Sequence, residues 1–178
     1  AETLPALVRE RDAGRARFIG ISGYPIPVLE RLTRTFPLDA VLTYCHYGLL
    51  ADDAAPLLAL ADERGMAVIN ASTLHMGVLT EGGAPEWHPA PQAVKDAGRR
   101  VAALCKSRGH DVVDVALRYA LALPGVACTL VGMKTEGEVE RNVATLGGRL
   151  EPAFRAELEA LVAPVKNLNW PSGRWSPN

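Results

Sequence analysis

A chain of 178 residues with 48% hydrophobic side chains is long enough for one domain with a sizeable core. Its formal net charge of −1, with both signs mixed along it, excludes the basic stripe of a nucleic-acid binder, and its apolar stretches are too short and interrupted for a membrane span. Three widely spaced cysteines, Cys45, Cys105 and Cys128, argue against a disulfide framework and, with no secretory signal in view, suit a reducing cytoplasm.

The spacing predicts a helix over Glu2 to Arg11, with Leu4, Leu7 and Val8 on one face and Asp12 to Gly14 ending it. The apolar run Arg17 to Ser22, stopped by Gly23, reads as a buried strand. Pro25 and Pro27 open a helix that Pro37 closes, with Val28, Leu29 and Leu32 inward. Leu38 to Tyr44 is the second strand. Ala54 to Arg64 is a helix capped by Gly65, and Met66 to Ala71 the third strand. A long loop through Gly77, Gly82-Gly83, Pro85, Pro89 and Pro91 leads to helices at Ala93 to Ser107 and Val112 to Ala122. Val126 to Val131 is the fourth strand, and Gly137 to Thr145 and Pro152 to Val162 are helices. The tail, residues 163–178, carries Trp170, Pro171, Gly173 and Trp175 and reads as irregular.

Strands without alternation, separated by helices, predict an α/β fold with a parallel sheet and about four βα units. A closed (β/α)₈ barrel takes ~250 residues, so the whole of residues 1–178 is expected to be one partial barrel, its C-terminal half. Such an open half exposes two strand edges and one apolar flank, so a partner half or self-association is expected.

In this architecture the strand ends form the active face. Ser22-Gly23, Tyr44 to Tyr47, Asn70 to Thr73 and Gly132 to Thr135 follow the four strands. Gly132 to Thr135 run into a helix, whose free N–H groups and dipole suit an anion such as phosphate. Cys45-His46 invites a metal reading, but adjacent residues at a strand end diverge and no second pair has ligand spacing, so no metal is expected. No serine has a base partner by spacing, and no tyrosine has a lysine or histidine placed to tune it as an acid. No catalytic residue is therefore assigned.

Taken together, Arg17-Phe-Ile-Gly-Ile-Ser-Gly23, Leu42-Thr-Tyr-Cys-His-Tyr-Gly48, Met76-Gly-Val-Leu-Thr80, Pro85-Glu-Trp-His-Pro89 and Leu130-Val-Gly-Met-Lys134 with Val139-Glu-Arg-Asn-Val143 resemble the aldo-keto reductase family. Val165-Lys-Asn-Leu-Asn-Trp-Pro-Ser-Gly173 is similar to its L-galactose dehydrogenase branch, which also resembles L-fucose and related aldose 1-dehydrogenases. The resemblance implies the C-terminal half of a TIM barrel that passes hydride between a nicotinamide cofactor and a sugar C1. It implies that the family's catalytic Asp, Tyr, Lys and His precede this segment. It places Ser22 at the nicotinamide amide, with Gly23 in place of the usual Asn, and Tyr44 beside the ring in place of Gln. Gly132, Met133, Lys134 and Thr135 would wrap the adenosine phosphate, with Asn142 near the adenine.

Glu138 matches a position where NADP-preferring members carry Arg. A carboxylate there repels a 2′-phosphate and accepts from a ribose hydroxyl, so NAD is favoured over NADP, although Lys134 works the other way. His75, Trp87 and Trp170 are the substrate-pocket candidates for a small sugar. A non-catalytic nucleotide-binding or assembly module, a half-barrel that dimerises or docks on a partner, is the alternative.

Overall fold

The computed structural model describes residues 2–171; Trp175 and the rest of the tail beyond Pro171 lie outside them. Helix α1 (Thr3–Asp12) leads to β1 (Gly20–Gly23), followed by α2 (Ile26–Thr35), β2 (Ala40–Tyr44), α3 (Ala55–Glu63) and β3 (Ala67–Ala71). A single 3₁₀ turn at His75–Gly77 interrupts the long loop. Then come α4 (Gln92–Ser107), α5 (Val112–Leu121), β4 (Cys128–Leu130), α6 (Glu136–Ala144) and α7 (Pro152–Val162), with a last 3₁₀ turn at Ala163–Val165.

Local chemistry sets these boundaries. Pro27 enters the first turn of α2, where its missing N–H costs nothing, and Phe36 ahead of Pro37 is extended and stops it. Asp111 caps α5 by accepting from Val113 N at 2.7 Å. α4 is long because its apolar stripe, Val94, Ala97, Gly98, Val101 and Cys105, keeps helical period throughout.

The four strands are parallel in the order β1-β2-β3-β4. Val41 pairs in register with Val68, and both sink into a core with Leu29 and Leu57 from α2 and α3. A second core joins α4, α5 and α7 through Val101, Val115 and Leu158, and extends to Tyr24, Cys45 and Trp170. The opposite sheet face carries Ser22, Leu42, Ile69 and Leu130, which are half-exposed or exposed.

The half-barrel expectation holds, with two corrections. Arg17 to Ser22 does not form a buried strand: β1 starts at Gly20, Phe18 is 71% exposed, and only Ile19 of the run is buried. β4 likewise shrinks to three residues, with Cys128 and Leu130 exposed. Both lie at the sheet edges, where one side of the strand has no neighbour to cover it. Val139 and Val143 of α6, and Leu146 just after it, are exposed too, and no residue of the helix is buried. What holds α6 is polar. Thr145 Oγ1 donates to Asp114 Oδ1 at 2.9 Å, and Arg118 Nε donates to both oxygens of Asp114 at 2.9 and 2.8 Å.

Gly98 lets α4 close on the loop, since a Cβ there would stand 2.5 Å from Val78 O and Cγ1. The Gly98→Ala chain is expected to lose about 1–3 kcal/mol of stability by overpacking. Urea titration followed by circular dichroism checks this; an unchanged midpoint would show that the contact relaxes without cost.

Candidate functional site

The strand ends are held in strained backbone. Of five non-glycine residues with positive φ among the described residues, four sit here: Cys45 (62°), Ser72 (55°), His75 (53°) and Met76 (54°). Cys45 and Ser72 each follow the last residue of a strand, and those last residues, Tyr44 and Ala71, are register partners. The two neighbouring strands thus turn in the same left-handed step, tied by Cys45 N donating to Ala71 O at 3.2 Å. Such strain persists only where surrounding packing over-determines it, and it concentrates at functional sites.

Over these ends lies a cluster of rings. Tyr24 packs against His46, Tyr44 and Trp170 with centroids 4.3, 5.1 and 5.4 Å away. Trp170 in turn meets the edges of His75 and His88 at 5.4 and 5.1 Å. A polar relay runs beneath. His46 Nδ1 donates to the Asp53 carboxylate, 2.9 Å from each oxygen, and Asn169 Nδ2 donates to Asp53 Oδ2 at 2.6 Å. Tyr24 Oη donates to Asn169 Oδ1 at 3.4 Å.

The tail residues that narrow the family resemblance each have a partner here. Lys166 Nζ donates to Leu49 O, Asn167 exchanges two side-chain bonds of 2.8 Å with Asp52, and Asn167 N donates to Leu50 O. Residues 166–170 are therefore a strap laced to the β2–α3 loop, with Trp170 buried at its end.

Burial keeps the His75 and His88 imidazoles neutral. Ala90 N donates to His88 Nδ1 at 3.1 Å, so Nε2 carries the ring proton and donates to His75 O at 3.0 Å. Burial lowers the His88 pKa. It pushes that of His75 down to about 3, with help from the neighbouring His88 and His46 and against the pull of Asp53. Burial also drives the Tyr24 phenol well above its ordinary value and the Cys45 thiol up to about 12. His46 and Cys45 do not combine as a metal pair: the histidine is taken by Asp53 and the thiol donates to Ser72 O at 3.9 Å.

The structure brings Tyr44, His75 and Trp170 into one cluster. Trp87 stands outside it at 69% exposure, its ring stacked on His88 at 6.0 Å. Ser22 is exposed at the end of β1. Gly132, Met133, Lys134 and Thr135 are exposed ahead of α6, and Asn142 is half-buried on it. Glu138 closes a capping box: Glu138 N donates to Thr135 Oγ1 at 3.3 Å, while the Glu138 carboxylate accepts from Lys134 N and, at 3.3 Å, Thr135 N. Those backbone donors hold the carboxyl below its ordinary pKa. Beside α6, a cavity of about 660 Å³ is lined by Thr80, Gly82, Arg99, Lys106, Asp111 and Arg141.

The model of the aldo/keto reductase family matches residues 1–163. The chain belongs to the aldo/keto reductase family. Its members are oxidoreductases that use nicotinamide cofactors. The chain is 42% identical to L-galactose dehydrogenase of Arabidopsis thaliana over 97% of its own length and 56% of the relative's. It is 26% identical to D-threo-aldose 1-dehydrogenase of a Pseudomonas species, over 93% of this chain and 52% of that one. An aldo-keto reductase of Bacillus halodurans in its holo form superposes with a TM-score of 0.68 at 20% identity, over 96% of this chain and 57% of that one. Glycerol dehydrogenase of Gluconobacter oxydans gives 0.64 at 18%, with 96% and 56% covered. These two structures share the fold. The chain spans about half the length of these relatives.

Sequence reasoning missed Tyr24, Asp53 and Asn169, whose partners lie far apart in the chain, and the residues of the cavity beside α6. It also missed the capping box, which Thr135-Glu-Gly-Glu138 does signal.

His75 remains neutral in the folded chain while its unfolded form protonates near pH 6.5, so the unfolded state binds the extra proton and stability falls as pH drops from about 6.5 toward 3, by up to ~1.4 kcal/mol per unit. His75→Asn, which tolerates the left-handed backbone, is expected to flatten that slope. Denaturant midpoints from pH 7 to 4 test this; parallel slopes in the two chains would refute it.

Proposed function

We propose that this chain is the nucleotide-holding segment of an NAD(P)-dependent oxidoreductase that passes hydride between a sugar C1 and nicotinamide, aldose to lactone. The observation that carries the reading is the start of α6. A carboxylate oxygen of Glu138 already rests on the N–H groups of Lys134 and Thr135, so these donors fit an oxyanion. A Cβ at Gly132 or Gly137 would meet nothing within 4 Å, so the approach is open. The relatives named for aldose 1-dehydrogenation supply the substrate class.

Nicotinamide, when bound, supplies the hydride acceptor. Ser22 and Tyr44 would hold the ring end, and Gly132 to Thr135 with Asn142 the adenosine end. Glu138 keeps one carboxylate oxygen free to accept from a ribose hydroxyl and sets its charge against a 2′-phosphate, which favours NAD over NADP. His75, Trp87 and Trp170 would shape the sugar pocket, with the tail, residues 163–178, over its substrate side. This chain's own contribution is positioning. Tyr24, the tyrosine at the centre of the ring cluster, is buried with its hydroxyl donating to Asn169 Oδ1 at 3.4 Å, so it is engaged within the fold. The acid–base group would come from an N-terminal half, and three free cysteines suit a reducing compartment such as the cytoplasm.

The second reading is a non-catalytic nucleotide-binding or assembly module. The bare sheet edges and the uncovered face of α6 favour it, since they invite either a partner half or a second copy.

Calorimetric titration with NAD and NADP, with light scattering on the same sample, tests the reading. NAD is expected to bind at least about tenfold more tightly, and Glu138→Arg to reverse the order. Equal affinities in the unaltered chain would remove Glu138 from cofactor choice. The chain alone is expected to oxidise no L-galactose or L-fucose; turnover with NAD would place the acid–base group within these residues.

A further inference from the structure

A second cavity, about 770 Å³, opens on the other side of the fold. The last turn of α5 and the segment between α6 and α7 form it. α5 ends just before β4 begins, so the cavity lies at the strand starts, away from the active face. Arg118, Arg149 and Arg155 line it beside Tyr119, Leu121 and Leu150, and none of its described lining residues is a carboxylate.

Two of the three guanidiniums are held from behind. Arg118 is fixed through Nε to Asp114, which Thr145 also grips, and its guanidinium packs against Gly148, where a Cβ would stand 2.1 Å from Nη1. Arg155 is fixed through Nε to Glu159 at 2.9 Å and packs over the Tyr119 ring at 4.8 Å. Tyr119 Oη donates to the same Glu159 oxygen at 2.9 Å. In both cases the tether to the carboxylate uses Nε, and Tyr119 also hydrogen-bonds the Arg155 side chain. Arg149 is exposed and has no hydrogen bond or ion pair among the described residues. The remaining nearby carboxylate, Glu151, is occupied in capping α7 through Ala153 N and Phe154 N.

A site of preorganised guanidinium forks with one untethered arm suits a tetrahedral oxyanion, because a guanidinium fork can donate parallel N–H bonds to two of its oxygens, and Arg149 brings a positive charge that no carboxylate pairs among the described residues, whereas those of Arg118 and Arg155 are paired by Asp114 and Glu159. The apolar wall of Leu121 and Leu150 has no use in holding a bare ion. We propose that this cavity is a second binding site that takes a phosphate-bearing small molecule, with its phosphate on Arg118, Arg149 and Arg155 and its carbon part against Leu121 and Leu150. It is independent of the nucleotide reading of the active face.

The test is calorimetric titration of the chain with inorganic phosphate and, separately, phenyl phosphate, whose ring probes the apolar wall. Phenyl phosphate is expected to bind more tightly. Arg149→Ala, which breaks no contact of the fold, is expected to weaken both probes at least about tenfold, while Arg34→Ala, which removes an exposed charge on α2 outside both candidate anion sites, leaves them unchanged. Equal affinity for the two probes, with the same response to Arg149→Ala, would overturn the organic ligand. No saturable binding up to about 10 mM, or binding that survives Arg149→Ala, would overturn the site altogether.

Discussion

The carboxylate of Asp53 is what the active face depends on. It takes hydrogen bonds from His46 after β2 and from Asn169 in the tail, and through Asn169 it reaches Tyr24 after β1. One anion thereby fixes two strand ends and the strap in a single arrangement. Without it, the buried His46 Nδ1 and the Asn169 amide would each lose their acceptor, and an unsatisfied buried donor costs about 1–3 kcal/mol. The rings of Tyr24, Tyr44 and Trp170 can pack closely because this network has already placed their backbones.

The two ends of the candidate cofactor site are built on different principles. The ring end rests on buried aromatics, a polar relay and strained turns, so its shape is set before any ligand arrives. The adenosine end rests on a helix whose valines are exposed and whose first turn satisfies its own donors with Glu138. Leu49, Asp52 and Asp53 explain why the strap carries lysine and asparagine at those positions: the Lys166, Asn167 and Asn169 side chains each meet a carbonyl or carboxylate of one loop.

Much of this was legible in the sequence. Helices with a clear apolar stripe, such as α4, and the proline-bounded α2 fall where their periodicity puts them, and the parallel four-strand sheet follows from the unalternating runs. Strand burial was not legible. Arg17 to Ser22 is apolar enough for a core strand, but whether a strand is buried depends on what lies beside it, and that information is outside the run itself. The relay was not legible either, because Asp53 and Asn169 are 116 positions apart and nothing local in either residue names the other. Trp87 stands at the edge of the cluster, exposed but stacked on His88, a rim position that its loop composition does not distinguish from a buried one.

α6 is joined to the body by Thr145 at its last turn, through Asp114, and buries none of its own residues. An element with so little buried surface belongs to the low end of local stability, so its amides should exchange with solvent through partial opening rather than global unfolding. Any ligand that needs an ordered α6 then spends part of its affinity on holding the helix shut, and the same ligand raises the helix's protection by mass action. The tightness of nucleotide binding would thus be set as much by the Thr145–Asp114–Arg118 clasp, at the far end of the helix, as by the groups that touch the nucleotide.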